Sequence, residues 1–128
     1  MNSKKIKVDE LVIDGTVYVP KTNNNPVINT DGLKMVMIRT YSAGVHFGYL
    51  SKKESTLAGI EVELLNSRRV YYWDGAATLS QLAIEGSSKP DNCQIPCIIP
   101  KIILIAIEII EMSEKAYDIL SNIKVWEE

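Results

Sequence analysis

Residues 98–110 hold eight isoleucines in thirteen positions, and this run constrains the fold more than any other segment of the chain. β-Branched side chains pack well on a pleated sheet and lose rotamer freedom in a helix, so the run predicts a buried strand. Pro100, Lys101 and Glu108 interrupt it, and it is shorter than the roughly 17 apolar residues a membrane helix needs. No apolar run follows the charged residues 1–7. Neither a secretory signal nor a transit peptide is therefore expected, and the reading is a cytoplasmic protein that does not enter a membrane.

The remainder reads as an α+β chain. Residues 6–19 are two β-rich runs around Asp14-Gly15, a dipeptide that suits a tight hairpin turn. Residues 20–32 are rich in Asn, Pro and Gly and read as a linker. This gives a hairpin arm and linker over 1–32 and a main body over 33–128. Within the body, strands are predicted at 34–40, 45–49, 60–65 and 70–73, with Asn66-Ser67 as a turn and 52–59 as a charged loop. Apolar spacing at Ala76, Leu79, Ala83 and Ile84 predicts a short helix. Thr78 with Gln81 has the form of a capping box there, and Gly86 is its stop. Ser113 is positioned to cap a terminal helix over 114–123. The expected fold is an antiparallel sheet of about five strands with two helices and an N-terminal β-hairpin arm.

Fourteen Lys and Arg against sixteen Asp and Glu give a formal charge of -2, which supplies no cationic field for DNA, so any anion site must be local. Cys93, Cys97 and the single His46 cannot complete the usual four-ligand zinc set, so no metal is expected, and a reducing cytosol argues against a disulfide. The chain has no G-x-S-x-G, Walker or G-x-G-x-x-G motif, so neither a nucleophile elbow nor a cofactor is called for. Glu61 and Glu63 would share a strand face, an arrangement more often solvated than catalytic. An enzyme would have to work with His46 and Asp74, and the sequence is read as non-catalytic.

Arginine is scarce and localised. Eleven of the fourteen basic residues are lysine, and the three arginines, Arg39, Arg68 and Arg69, fall in the same span as six of the nine aromatics. Guanidinium groups bind phosphates bidentately and aromatic faces stack on bases, so the mixture suits a nucleotide-like ligand. An aromatic core with exposed arginines explains the same pattern. Ser42-Ala43-Gly44 at a bend and Gly75-Ala76-Ala77 before a helix are two places where backbone amides can seat an anion, although hairpin geometry also accounts for the first. Asn92, in a proline-flanked loop, has an amide that can read a base edge or merely form a turn.

The segments Arg39-Thr40-Tyr41-Ser42-Ala43-Gly44-Val45, Arg68-Arg69, Tyr72-Trp73-Asp74-Gly75-Ala76 and Leu79-Ser80-Gln81-Leu82-Ala83 resemble those of small phage and prophage proteins of the Thoeris anti-defence sponge family. The resemblance also takes in residues 90–96 and Val125-Trp126 and leaves out the N-terminal arm. It implies a sponge that binds a cyclic ADP-ribose isomer made by a bacterial TIR-domain enzyme and holds it intact, some members also capturing cyclic oligonucleotides. It implies ligand contacts from Arg39, Thr40, Tyr41, Ser42, Gly44, Arg68, Arg69, Trp73, Gly75, Ala76 and Ser80, with Asn92 added for base recognition. A homodimer or higher homo-oligomer is expected, with the arm as an anchoring or swapping element. Two other readings stay open: an accessory protein that docks a host protein, and a small nucleotide-cleaving enzyme.

Overall fold

The structure, a computed structural model, describes residues 25–128 together with the backbone of two short strands, β1 (Val12–Ile13) and β2 (Thr16–Val17). These two pair antiparallel with Val12 opposite Val17 and Ile13 opposite Thr16, as a hairpin around Asp14-Gly15 requires. The rest of the expected arm, and the part of the linker before residue 25, lie outside the described residues.

The body consists of β3 (Met35–Thr40), β4 (Val45–Thr56), β5 (Gly59–Val70), α1 (Leu79–Glu85), a single 3-10 turn (Pro90–Asn92), β6 (Ile99–Glu111) and α2 (Glu114–Ser121). It is an α+β fold in which all four long strands run antiparallel in the order β3-β4-β5-β6 and close into a barrel. Closure follows from the length of β6, whose 13 residues span about 43 Å at the usual rise per strand residue. Its first part pairs with β5, from Ser67↔Ile99 to Ile60↔Ala106, and its last part with β3, from Thr40↔Ala106 to Val36↔Glu111. Ala106 is the residue at which β6 passes from one neighbour to the other.

The alternation of β3 explains why its sequence is apolar on both faces. Met35 and Met37 pack with Leu82, Ala116 and Leu120 of the helices, whereas Val36 and Ile38 pack inside the barrel with Val62, Leu64 and Leu104. Each such side chain contributes about 1.5–3 kcal/mol on burial. Thr78 caps α1 by accepting from the Gln81 amide at 3.1 Å, Gly86 ends the helix at φ 75°, and Ser113 caps α2 through the Ala116 amide at 3.0 Å. The reciprocal half of the expected capping box is shifted by one residue, since Gln81 Oε1 accepts from Ala77 rather than from Thr78.

Three expectations are corrected. The sheet has four long strands, not about five, because the strand expected at 60–65 runs on through Asn66, left-handed at φ 51° as an irregularity inside β5, to Val70, and the rest of the expected strand at 70–73 is only an isolated bridge from Tyr72 to Gln94. The charged segment 52–59 is not a loop but the second half of β4 and the connection to β5, its Lys52, Lys53 and Glu54 paired opposite Glu63, Val62 and Glu61. The isoleucine run is a strand, but it is not fully buried. Leu104 and Ala106 face inward, while Ile103, Ile105 and Ile107 are 56%, 37% and 57% exposed. The body's contacts also reach back beyond Leu33: the Asn25 carbonyl accepts from Glu114, and Pro26 bridges Ser113. No helix among the described residues is long and apolar enough to cross a membrane.

Candidate functional site

Arg39, Thr40, Tyr41, Ser42 and Gly44 form the β3–β4 connection at one end of the barrel, and Arg69 of β5 reaches it because the pairing sets His46 opposite Arg69 and Val45 opposite Val70. The loop is built from within. Thr40 Oγ1 accepts from the Ala43 amide at 2.8 Å and donates to the Gly44 carbonyl at 2.8 Å, and the Thr40 amide donates to the same carbonyl at 3.1 Å. Gly44 is required at φ 85°, a conformation that glycine adopts without strain. Arg69 Nη1 donates to the Ala43 carbonyl at 2.6 Å, and no other partner of its guanidinium occurs among the described residues. Tyr41 stands 91% exposed at the tip, and the amides of Tyr41 and Ser42 have no protein partner among the described residues. Arg39 lies beside the loop in an exposed ion pair with Glu108 at 2.9 Å. The rim therefore offers one anchored cation, one paired cation, two amides without a protein partner among the described residues and an exposed aromatic side chain.

His46 lies just inside the rim and is 1% exposed. Its Nε2 is 2.8 Å from the Ala43 carbonyl, an acceptor only, so that nitrogen carries the proton and Nδ1 is left bare and buried without a partner. Burial lowers its pKa, and the Arg69 charge pushes the same way against the hydrogen bond to Ala43. The neutral ring is the form the fold favours.

Arg68 faces the other way. It is buried, and it donates from Nε to Pro96 at 2.9 Å, from Nη2 to Ile95 at 2.8 Å and from Nη1 to Leu120 and Ser121 at 3.3 Å each, all main-chain carbonyls. It ties β5 to the segment before β6 and satisfies carbonyls at the end of α2, where a cation is favoured by the helix dipole. The expected ligand role of Arg68 is replaced by this internal one.

Trp73, Gly75, Ala76, Ser80 and Asn92 gather at a second place, around the start of α1. Trp73 packs on the helical core and donates Nε1–H to Ala76 at 3.3 Å. Asn92 Nδ2 donates to Asp74 Oδ2 at 3.0 Å, and the Gly75 amide donates to Asp74 Oδ1 at 2.8 Å, contacts that hold the Asp74 carboxyl below its ordinary range. The Ser87 hydroxyl donates to the Asp74 carbonyl, and the Ser88 amide donates to Gly75 at 3.1 Å. The amides that would seat an anion here, Gly75 and Ala77, already donate to Asp74 and Gln81 side chains. This cluster is a lock between two loops, and Asn92 is spent in it. Ser80 is exposed on α1.

The structure thus divides the twelve sequence-derived residues into a rim, a loop lock and one buried arginine. A groove of about 690 Å³ between the 3-10 turn, the end of α2 and the C-terminal segment is lined by none of them. One of about 260 Å³ near α1 takes in Gly75 alone. Neither groove joins the two groups. The larger groove was missed in the sequence because its walls come from three separate segments. Its one legible signal is Trp126, whose ring stacks on Tyr71 at 5.0 Å between centroids. His46 and Asp74 share no hydrogen bond, and no cluster of three metal-ligating side chains occurs among the described residues.

The chain belongs to the family of the domain of unknown function DUF6948, whose profile matches residues 33–120. No curated protein and no solved structure matches it.

Proposed function

We propose that this DUF6948 protein is a non-catalytic binder of a small phosphorylated nucleotide signal. The candidate is the cyclic ADP-ribose type that the resemblance to Thoeris anti-defence sponges implies, with cyclic oligonucleotides as a further class. Its role is then to sequester the signal in the bacterial cytoplasm before an immune effector is activated. One observation carries the reading: Arg69 is anchored by one Nη at the Ala43 carbonyl, in the loop where the amides of Tyr41 and Ser42 have no protein partner among the described residues and the Tyr41 ring is exposed. A phosphate needs a cation and amide donors, and a base needs an aromatic face. Thr40 and Gly44 shape the loop, and Arg39 adds a second cation at its edge. The rim is open within one copy, so a second copy across it would supply the enclosure that slow release needs.

Sequestration makes a direct demand on experiment. Purified protein is incubated with a cyclic ADP-ribose isomer, separated from free ligand and heat-denatured. Release of unchanged ligand at one per rim supports the reading, and a linear product makes the protein a hydrolase. Absence of binding at micromolar protein overturns it. The second reading, docking of a host protein, draws on Tyr41 and on Leu57, both fully extended into solvent. A stoichiometric protein partner lost on Tyr41→Ala, with no small-molecule mass in the native spectrum, would favour it.

A further inference from the structure

The groove of about 690 Å³ beside the end of α2 is lined by no residue of the rim, and its charge is largely of one sign. Asp91 comes from the 3-10 turn, Asp118 from α2 and Glu127 from the C-terminal segment, against the single cation Lys124. Among the described residues the ion pairs are Lys34–Glu111, Arg39–Glu108 and Lys101–Glu63, so no carboxylate of the groove is neutralised in one. The last turn of α2 holds no basic residue, and its carbonyl end adds negative potential. Arg68, itself buried, takes the Leu120 and Ser121 carbonyls and offsets part of it. Asn122 donates Nδ2 to the Asp118 carbonyl at 2.7 Å, which leaves its Oδ1 as a further acceptor at the same wall.

We propose that this groove docks an arginine-bearing basic segment of a partner protein. Trp126 sets the place of the guanidinium. Its ring lies on Tyr71 at 5.0 Å between centroids and 10° between planes, its amide donates to the Ile95 carbonyl at 3.0 Å, and Val125 bridges Ile95. Ring and main chain are thus held before anything binds, which reduces the ordering cost of association. A planar guanidinium stacks on an indole face, and its N–H groups fit carboxylates in bidentate pairs, a geometry that a lysine ammonium lacks. Ile119, Ile123 and Val125 supply apolar surface for the methylene stems. Size and extent favour a peptide over a free amine. The volume is that of a site for a drug-sized ligand, and Tyr71, 64% exposed, carries the aromatic surface out of the groove, where a chain segment can follow it.

The test is the fluorescence anisotropy of a labelled tetra-arginine peptide titrated with the full chain at about 150 mM salt, where distant charges are screened. Labelled tetralysine and tetraglutamate are compared, with spermidine as an unlabelled competitor. Tetra-arginine is expected to bind, tetralysine to bind several-fold more weakly and tetraglutamate not to bind. The Asp91→Lys/Asp118→Lys variant should lose at least about tenfold in affinity, and Trp126→Ala about fivefold. Both aspartates are exposed, so the first variant keeps its melting temperature and decides the matter alone if Trp126→Ala loosens the C-terminal segment. Glu54→Lys/Glu85→Lys makes the same change of charge at exposed residues outside the groove and should leave affinity unchanged. Absence of tetra-arginine binding overturns the proposal, and so do equal losses from the two charge reversals or no loss from the aspartate pair. Tetralysine binding as tightly as tetra-arginine removes the guanidinium, and displacement by an equal concentration of spermidine makes a free amine the occupant; either overturns it too. The rim is read with an anionic ligand and the groove with a cationic one, so failure of one reading leaves the other standing.

Discussion

Arg69 Nη1 and His46 Nε2 meet at one acceptor, the carbonyl oxygen of Ala43, at 2.6 and 2.8 Å. The carbonyl takes the ring's proton and the cation together, which fixes the imidazole tautomer and sets the guanidinium at the rim in a single arrangement. A protonated His46 would put a second positive charge beside Arg69 and leave Nδ1–H buried with nothing to accept it.

This gives a signed pH dependence. With its folded pKa below the ordinary 6.5, His46 binds fewer protons in the native than in the unfolded chain, so its contribution to stability is complete above about pH 6.5. It is lost as pH falls from there toward the folded value. Asp74, also lowered, loses its contribution only below its ordinary 3.8. Urea titrations from pH 7.5 to 5 should show stability falling below pH 6.5 in the wild type, and His46→Gln should flatten that slope.

Arg69→Lys keeps the charge but loses the planar fork, and ligand affinity should fall about tenfold, with Arg69→Ala weaker still. The melting temperature should barely change, because the side chain is exposed. Calorimetric titration with the cyclic ADP-ribose isomer checks both. Arg39→Ala should lose affinity in the same way, since its exposed pair with Glu108 contributes little to stability.

Arg68→Met should behave oppositely. It strips donors from the carbonyls of Ile95, Pro96, Leu120 and Ser121, and the expected loss is about 2–4 kcal/mol of stability in denaturant unfolding. Whatever variant remains folded should bind ligand with near-normal affinity.

Gly75→Ala tests the loop lock. Gly75 sits at φ 86°, and a Cβ there would stand 2.6 Å from the Lys89 nitrogen and 2.8 Å from that of Ser88, both main-chain atoms that cannot move aside. Strain and clash together should cost more than about 2 kcal/mol, seen as a drop in melting temperature. The same change at Ser80, exposed on α1, should be neutral.

Local features were largely legible in the chain. The caps at Thr78 and Ser113 and the stop at Gly86 are short-range chemistry, and each stands where the residues place it. The doubly apolar β3 was legible for the same reason, because alternate side chains with no polar partner must be covered on both faces. The irregularity at Asn66 was not: Asn-Ser favours a turn locally, and pairing of Arg68 and Val70 with β4 overrides it. Charge misled at 52–59, where Lys and Glu tolerate a strand whose outer face meets water.

The adjacent arginines mark the boundary most sharply. Residue type and proximity in the chain predict cationic chemistry for both, and nothing in that pair says which one turns inward. Alternation along β5 sends Arg68 to the helix side and Arg69 to the rim. Only the packing of α2 and the segment before β6 places carbonyls where Arg68 can bind them. Sequence determined which groups the chain possesses and which short elements they form. Tertiary structure decided which are consumed in holding it together, because hydrogen-bond partners more than 25 residues apart meet only when the barrel closes.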